Sequence, residues 1–369
     1  MKIVINATPL LSFATGVGRY TYEISKYLEQ DKQLKVDFFY GYYSKKLIEP
    51  DEKTVLKSFK SSIRSKYIKK ILRKLLAIFS KIRISKYDVY WEPNFIPIRH
   101  INTNKIISSI HDFSFILYKD FHPRERIEYF DNYFFKNIYK SDMIICFSEF
   151  TKREIMERLN FEDNRIKVIP HGVKHDVFRV HNDLSLGFVL PQKFILCVGS
   201  IEPRKNLLGL LKAYDKLSSE IKSEYKLVLA GFKGWKNKDI MKIIDDNKEY
   251  VIYLGYISDL ELAKVYNLAS LFVFPSFYEG FGFPPLEAMA CGTPVITSNV
   301  SSLPEVGGDA VIYCNPYDIE DIKEKIEMVL NNKELQRKMI EKGLKRVKQF
   351  TWEKAAKKHL EVFNKVLKN

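Results

Sequence analysis

The residues best equipped for chemistry are two carboxylates, Glu279 and Glu287, which bracket the turn Gly280-Phe-Gly-Phe-Pro-Pro-Leu286. Carboxylates accept hydrogen bonds from hydroxyls. Backbone N–H groups of a glycine-rich turn at a helix start can face an anion, helped by the positive end of the helix dipole. Hydroxyl acceptors beside phosphate donors suit a sugar nucleotide. The spacing of the two glutamates alone is a weak signal, and a Gly/Pro-rich loop is most often only a connection. Arg204 and Lys205 stand at another helix start, where cations oppose the dipole and a bound anion would compensate; two solvated surface charges are the ordinary alternative. His111 and Asp112 follow directly on an apolar strand. Gly16 and Gly18 form a Gly-x-Gly turn after the first strand, again a weak signal by itself. The third glycine of a dinucleotide fingerprint is absent and no acidic residue clearly ends a second strand, which counts against a dehydrogenase. His171 either lines a cleft or belongs to the Pro170-His-Gly-Val173 turn.

The elements that must position these residues alternate strand and helix. In the first half the pattern predicts strands at 2–6, 87–91, 105–110, 143–147 and 166–169, with helices from Gly16, over 123–139, and from an N-cap at Ser148 to Leu159. Between 175 and 192 periodicity is lost and polar residues collect, which sets a domain boundary near 187. In the second half strands are expected at 194–198, 226–230, 251–254, 271–274 and 294–297, the last two flanking the glutamate loop. Helices are expected at 207–217, 319–330, 333–348 and from about 350 to 366. Such βα units build parallel sheets whose ligands bind at the carboxyl ends of the strands.

The string Pro-Ser-x-x-Glu-Gly-Phe-Gly-x-Pro-x-Leu-Glu-Ala-Met-Ala-Cys-Gly-Thr-Pro-Val, read from Pro275, resembles the signature of the retaining family 4 glycosyltransferases of the GT-B fold. The resemblance implies an α/β protein of two Rossmann-like domains facing a cleft. Residues 1–186 would bind the acceptor and 187–350 the nucleotide-sugar, with 351–369 crossing back to the first domain and Trp352 as its packing anchor. It implies that Glu279 contacts the donor sugar, Glu287 holds the ribose, and the amides of Gly280, Phe281, Gly282 and Phe283 meet the diphosphate. Lys205 and Arg204 would hold the diphosphate too, although Ser200 after Gly199 departs from the commoner Gly-Arg form. Gly16 and Gly18 would lie by the donor phosphates, Tyr256 and Ile257 by the base, His111 near the donor sugar, and Asp112 on the acceptor side. The expected reaction is hexosyl transfer with retained configuration, GDP-mannose leading over UDP- or dTDP-sugars as donor and a lipid-linked glycan as acceptor. A GT-B epimerase or phosphorylase would use the same scaffold.

Composition sets the outer limits. A chain of 369 residues, 46% hydrophobic and 28% charged, suits two globular domains. Cys146, Cys197, Cys291 and Cys314 form no Cys-x-x-Cys pair and read as buried free thiols in a reducing compartment. No Asp-x-Asp triplet occurs, so no metal or other cofactor is expected. No signal peptide or membrane-spanning run is evident, which points to the cytoplasm, with the protein peripheral on the membrane. The net charge of +15 asks for anionic partners. Residues 53–86 contain twelve Lys and Arg and no Asp or Glu, with apolar residues at helical spacing, a pattern suited to an anionic membrane surface. A core-packed helix with a charged back is the plainer alternative. Nucleic-acid binding is disfavoured because no stacking platform accompanies the charge; a non-catalytic binding protein would leave Glu279, Glu287 and Lys205 idle.

Overall fold

A computed structural model describes residues 1–11, 16–49 and 86–368. The basic stretch 53–86 therefore lies outside the described residues except for Lys86. Two sheets organise the chain. The first contains β1 (Lys2–Asn6), β2 (Lys35–Phe39), β3 (Tyr43–Ser44), β4 (Tyr87–Glu92), β5 (Thr103–Ser109), β6 (Met143–Cys146) and β7 (Ile166–Val168), in the order β3-β2-β1-β4-β5-β6-β7. Only β3 runs antiparallel to its neighbour. The second contains β8 (Phe194–Val198), β9 (Lys226–Ala230), β10 (Val251–Gly255), β11 (Leu271–Phe274), β12 (Val295–Ser298) and β13 (Ile312–Cys314), all parallel, in the order β10-β9-β8-β11-β12-β13. These strands are continuous apolar runs because helices cover both faces; β8 and β11 are buried along their whole length.

The strand order reverses between β1 and β4 in one sheet and between β8 and β11 in the other. Loops after those strands diverge and leave a crevice, the place where open α/β sheets bind ligands. The helices that matter for the site are α1 (Gly16–Gln30), α2 (Ser114–Leu117), α3 (Arg124–Ile138) and α4 (Glu149–Leu159) in the first half. In the second half they are α5 (Leu207–Asp215), α6 (Ser219–Glu224), α7 (Lys238–Asp246), α8 (Asp259–Leu268), α9 (Phe283–Ala290), α10 (Leu303–Gly307), α11 (Ile319–Leu330) and α12 (Lys333–Val347). Ser148 caps α4 by accepting from Thr151 N–H, as expected for its residue type.

The chain passes from one sheet to the other between Val168 and Phe194, a stretch that includes the expected boundary. The last helix, α13 (Trp352–Lys368), returns and packs on α1, β4 and β5. Its buried His359 gives the Nδ1 hydrogen to Ala355 O (2.7 Å), so Nε2 accepts from Tyr20 Oη (2.6 Å), which lies 2.9 Å from Ser109 Oγ. Trp352 is buried at its start, near His171 and Phe283. The four cysteines are buried and free. No helix among the described residues is long and apolar enough to cross a membrane.

Candidate active site

After β8 the chain runs through Gly199 into a 3-10 turn, Pro203–Lys205, and Asn206 caps α5 by accepting from Gly209 N–H (3.2 Å). This delivers Arg204 and Lys205 beside the loop that follows the neighbouring strand β11. Lys205 Nζ donates to Glu279 Oε1 (2.6 Å) and Arg204 Nη1 to Glu279 Oε2 (2.8 Å). Arg204 also donates to Glu202 Oε1 (2.9 Å) and Tyr278 O (2.7 Å). Glu279 is 8% exposed. Burial alone would raise its pKa, but the charges of Arg204 and Lys205 hold it down at about 2. The anion expected to compensate these cations is thus supplied by Glu279 itself. Arg204 Nε remains buried without a hydrogen-bond partner among the described residues, so one donor is uncommitted.

Glu287, on α9, is 4% exposed. Its Oε1 is paired with Arg19 Nη1 from the first turn of α1, in the other domain, and Arg19 Nη2 donates to Asp259 Oδ1 (2.8 Å). Tyr266 Oη lies 3.4 Å from Glu287 Oε2. Burial raises the Glu287 carboxyl and Arg19 opposes that rise. Lys174 Nζ, 3.3 Å from Asp259, continues the ion pairs between domains. Arg19 is a site residue that the sequence motifs do not include. A signal was present, because Arg19 is a cation in a helix's first turn, the same anomaly that singled out Arg204. Glu202, buried against Arg204, and Asp259 carried no such signal.

The loop between the glutamates docks on the first domain. A Cβ on Gly280 would stand 1.6 Å from His111 O, so only glycine fits there. Gly280 O accepts from Ser148 Oγ (3.0 Å). Gly282 has φ 128°, in the region glycine favours, and turns the chain into α9. Pro284 and Pro285 occupy the first turn of α9 and have no N–H, so an anion there would meet loop amides rather than a full helix terminus. This narrows the expected amide cradle. Phe281 is buried. Phe283 stacks on His171 (4.6 Å), and His171 stacks on Phe147 (3.8 Å). His171 is therefore part of an aromatic cluster between the domains rather than an open cleft lining.

His111 follows β5 and donates from Nε2 to Pro93 O (2.7 Å), which leaves Nδ1 as an acceptor. Burial lowers its pKa to about 4 against the Pro93 carbonyl and Asp112. Asp112 Oδ1 accepts from Ser114 N–H (2.9 Å) and Ser114 Oγ–H (2.8 Å). Gly16 begins α1 against the Phe283 ring, and Gly18 is buried in the same turn. Tyr256 and Ile257 follow β10; Tyr256 is exposed and Ile257 half-buried, just before the Ser258–Glu261 capping box of α8. The structure thus gathers Arg204, Lys205 and Glu279 at one point, brings the His111 main chain against the adjoining Gly280 while the His111 ring packs on Tyr20 and Phe147, and pairs Glu287 with Arg19 across the domains.

Several imidazoles in this region are buried and neutral: His111 and His359 fall to about 4 and His171 well below its ordinary value, burial being the main cause in each. Unfolded histidines take up a proton near 6.5. As pH falls below that, the unfolded chain binds protons that the folded chain refuses, and stability is lost by up to about 1.4 kcal/mol per pH unit per group. Buried Glu92, pushed up to about 8, works against this with the slope of one group. The melting temperature should therefore decline from pH 7 to pH 5 less steeply than the three rings alone would give, and a rise across that window would contradict the burial of these rings.

A family model described as "Glycosyl transferases group 1" matches residues 183–346, and one described as "Glycosyltransferase Family 4" matches residues 14–177. The O-antigen chain mannosyltransferase B of Escherichia coli is 31% identical over 378 residues, covering 96% of this chain and 97% of that protein. Sucrose-phosphate synthase from Thermosynechococcus elongatus superposes with a TM-score of 0.72 at 18% identity, covering 99% of this chain and 98% of that one. The Anabaena HepE protein in complex with UDP and glucose gives 0.65 at 14% identity, with 98% and 99% covered. At these identities the two structures establish the shared two-domain architecture and nothing finer.

Proposed function

The chain belongs to the GT-B glycosyltransferases of group 1 and family 4, and we propose that it moves a mannosyl residue from GDP-mannose to a hydroxyl of a growing surface glycan, with retention and without a metal. The observation that carries this reading is Glu279 clamped by Arg204 and Lys205 at the strand switch, with His111 of the other domain against the same loop. The identity to a mannosyltransferase along nearly the whole chain supports the sugar.

In the proposed step the acceptor oxygen bonds to the sugar C1 while the bond from C1 to the diphosphate oxygen breaks. The hydroxyl proton passes to the departing phosphate oxygen on the same face. Arg204 and Lys205 neutralise the charge that builds on the diphosphate, and Glu279 positions the sugar rather than attacking it. His111, neutral and fixed in tautomer, offers Nδ1 as an acceptor for a sugar hydroxyl. Glu287 takes the ribose hydroxyls, for which Arg19 must be exchanged or shared. Residues 1–186 would receive the acceptor and 187–350 the donor. The acceptor is a glycan on a lipid carrier, and the basic stretch 53–86 would meet the anionic surface that carries it.

The test is thermal stabilisation by GDP, UDP, dTDP, ADP and NAD without metal, since a ligand bound only by the folded state raises the melting temperature. GDP alone should shift the wild type, and Glu287→Ala should lose about tenfold or more in GDP affinity while retaining much of its turnover at saturation, the scale of a lost charge-assisted hydrogen bond. A shift with UDP or dTDP instead would keep the class and replace the donor. No shift with any nucleotide would sink the reading.

A further inference from the structure

The polarity of a short hydrogen-bond chain fixes what His122 can do. Ser114 Oγ donates to Asp112 Oδ1 (2.8 Å), and His122 Nε2 lies 3.0 Å from the same hydroxyl oxygen. A hydroxyl has one proton, here committed to Asp112, so His122 Nε2 carries a hydrogen and donates it. Burial, then the Arg126 charge, pull His122 down to about 4, so the ring holds a single proton and Nδ1 is a bare acceptor. His122 is 4% exposed, and Nδ1 has no hydrogen-bond partner among the described residues. The same is true of Arg126 Nε, one turn further along.

Both residues belong to the first domain, and both lie against one ring from the second. Trp235 sits 5.7 Å from the His122 ring and 5.7 Å from the Arg126 guanidinium carbon. An indole face supplies neither the donor that Nδ1 needs nor the acceptor that Nε needs. Trp235 gives its own N–H to Phe121 O, and Lys236 donates to Asp120 O, so this segment covers the two groups without satisfying them. His122 is joined to Asp112, which the acceptor side is expected to use, through the Ser114 hydroxyl.

We propose that His122 Nδ1 and Arg126 Nε form an acceptor-sugar subsite under Trp235, where a hydroxyl of the glycan donates to Nδ1, a sugar oxygen accepts from Nε, and the sugar ring lies on the indole face. A sugar edge is both donor and acceptor, which matches the two unpaired groups, and its ring C–H face suits an aromatic platform. Trp235 must lift for the sugar to enter. The inference rests on the glycosyl-transfer reading above and adds the acceptor's position to it, next to Asp112.

The test uses octyl glycosides of mannose, glucose and galactose as acceptors, with release of the nucleoside diphosphate as the readout. His122→Ala should raise the KM of the best acceptor by about tenfold, the loss of one hydrogen bond, with kcat little changed and nucleotide Kd within about twofold by calorimetry. His122→Asn, whose side-chain oxygen stands near the place of Nδ1, should recover part of that loss. Trp235→Ala should raise the acceptor KM as well. An unchanged acceptor KM in His122→Ala, or a parallel rise in nucleotide Kd, would overturn the subsite. If no glycoside stimulates the wild type while nucleotide still binds, the subsite falls and the donor site stands; if no nucleotide binds, the underlying reading has failed first.

Discussion

Glu279→Gln should lower kcat by on the order of 10²-fold or more, the scale of losing one preorganised electrostatic group, while nucleoside diphosphate binds at least as tightly as to the parent. The two halves have a common cause. Glutamine keeps the shape of the side chain but removes the charge that Arg204 and Lys205 now hold at 2.8 and 2.6 Å. Those cations are then free to meet a diphosphate without competition, so binding gains what the internal pair gave up. Catalysis loses the carboxylate that aligns the sugar. The unliganded protein should also be less stable, because breaking a buried pair from one side leaves uncompensated charge, at a cost of about 3–5 kcal/mol. Added diphosphate should restore part of that loss. Initial rates, calorimetry with GDP and melting curves together would decide it. A variant with parental kcat would remove Glu279 from the reaction, and one that bound GDP far more weakly would mean that Glu279 contacts the nucleotide directly.

Gly280→Ala is expected to be more damaging than an alanine at any other glycine whose surroundings are described. The added carbon would stand 1.6 Å from the His111 carbonyl oxygen, with Asp112 Cβ at 3.0 Å. Backbone cannot give way as a flexible side chain would, so the relief is for the two domains to part by more than an ångström at this point. A misplacement of that size costs about 10²-fold when reacting groups must meet. Each sheet has one face with a core of its own, although a further apolar cluster runs between the domains, so far-UV circular dichroism should be unchanged and GDP should still bind the second domain. Small-angle scattering should show a larger radius of gyration than the parent. Full activity in this variant would mean that the contact between Gly280 and His111 is absent from the reacting arrangement.

Residues that act within one loop were legible in the sequence, and residues that act by crossing the cleft were not. Arg204 and Lys205 stand out by their unfavourable placement at a helix start, and Glu279 and Glu287 by the string around them, since their spacing alone is a weak signal. Their partners come from far along the chain: Arg19 stands 268 positions from Glu287, and no local pattern carries that pairing. The two-domain α/β architecture was legible because β8 and β11 are uninterrupted apolar runs. Three strands were overlooked for identifiable reasons; β3, Tyr43–Ser44, is two residues long and shows no period at all. β2 contains Asp37, which breaks its apolar run yet is buried and accepts from Tyr87 Oη at 2.7 Å. β13 spans only Ile312–Cys314, too short for a period to register. Of the two readings left open for His171, cleft lining or the Pro170-His-Gly-Val173 turn, the structure shows a buried ring in that turn, stacked between Phe147 and Phe283.

The return of α13 makes the two domains unequal in their history. The second sheet is built from one continuous length of chain. The first depends on His359, which meets Tyr20 across 339 positions, and on Phe363, fully buried against it. During synthesis residues 1–168 emerge first but lack the helix that closes their core until everything up to about 366 has left the ribosome. Domains usually mature in the order they are made. Here the later one can finish while the earlier one waits with apolar surface uncovered, and that interval is when a chaperone or a misplaced contact would find this protein.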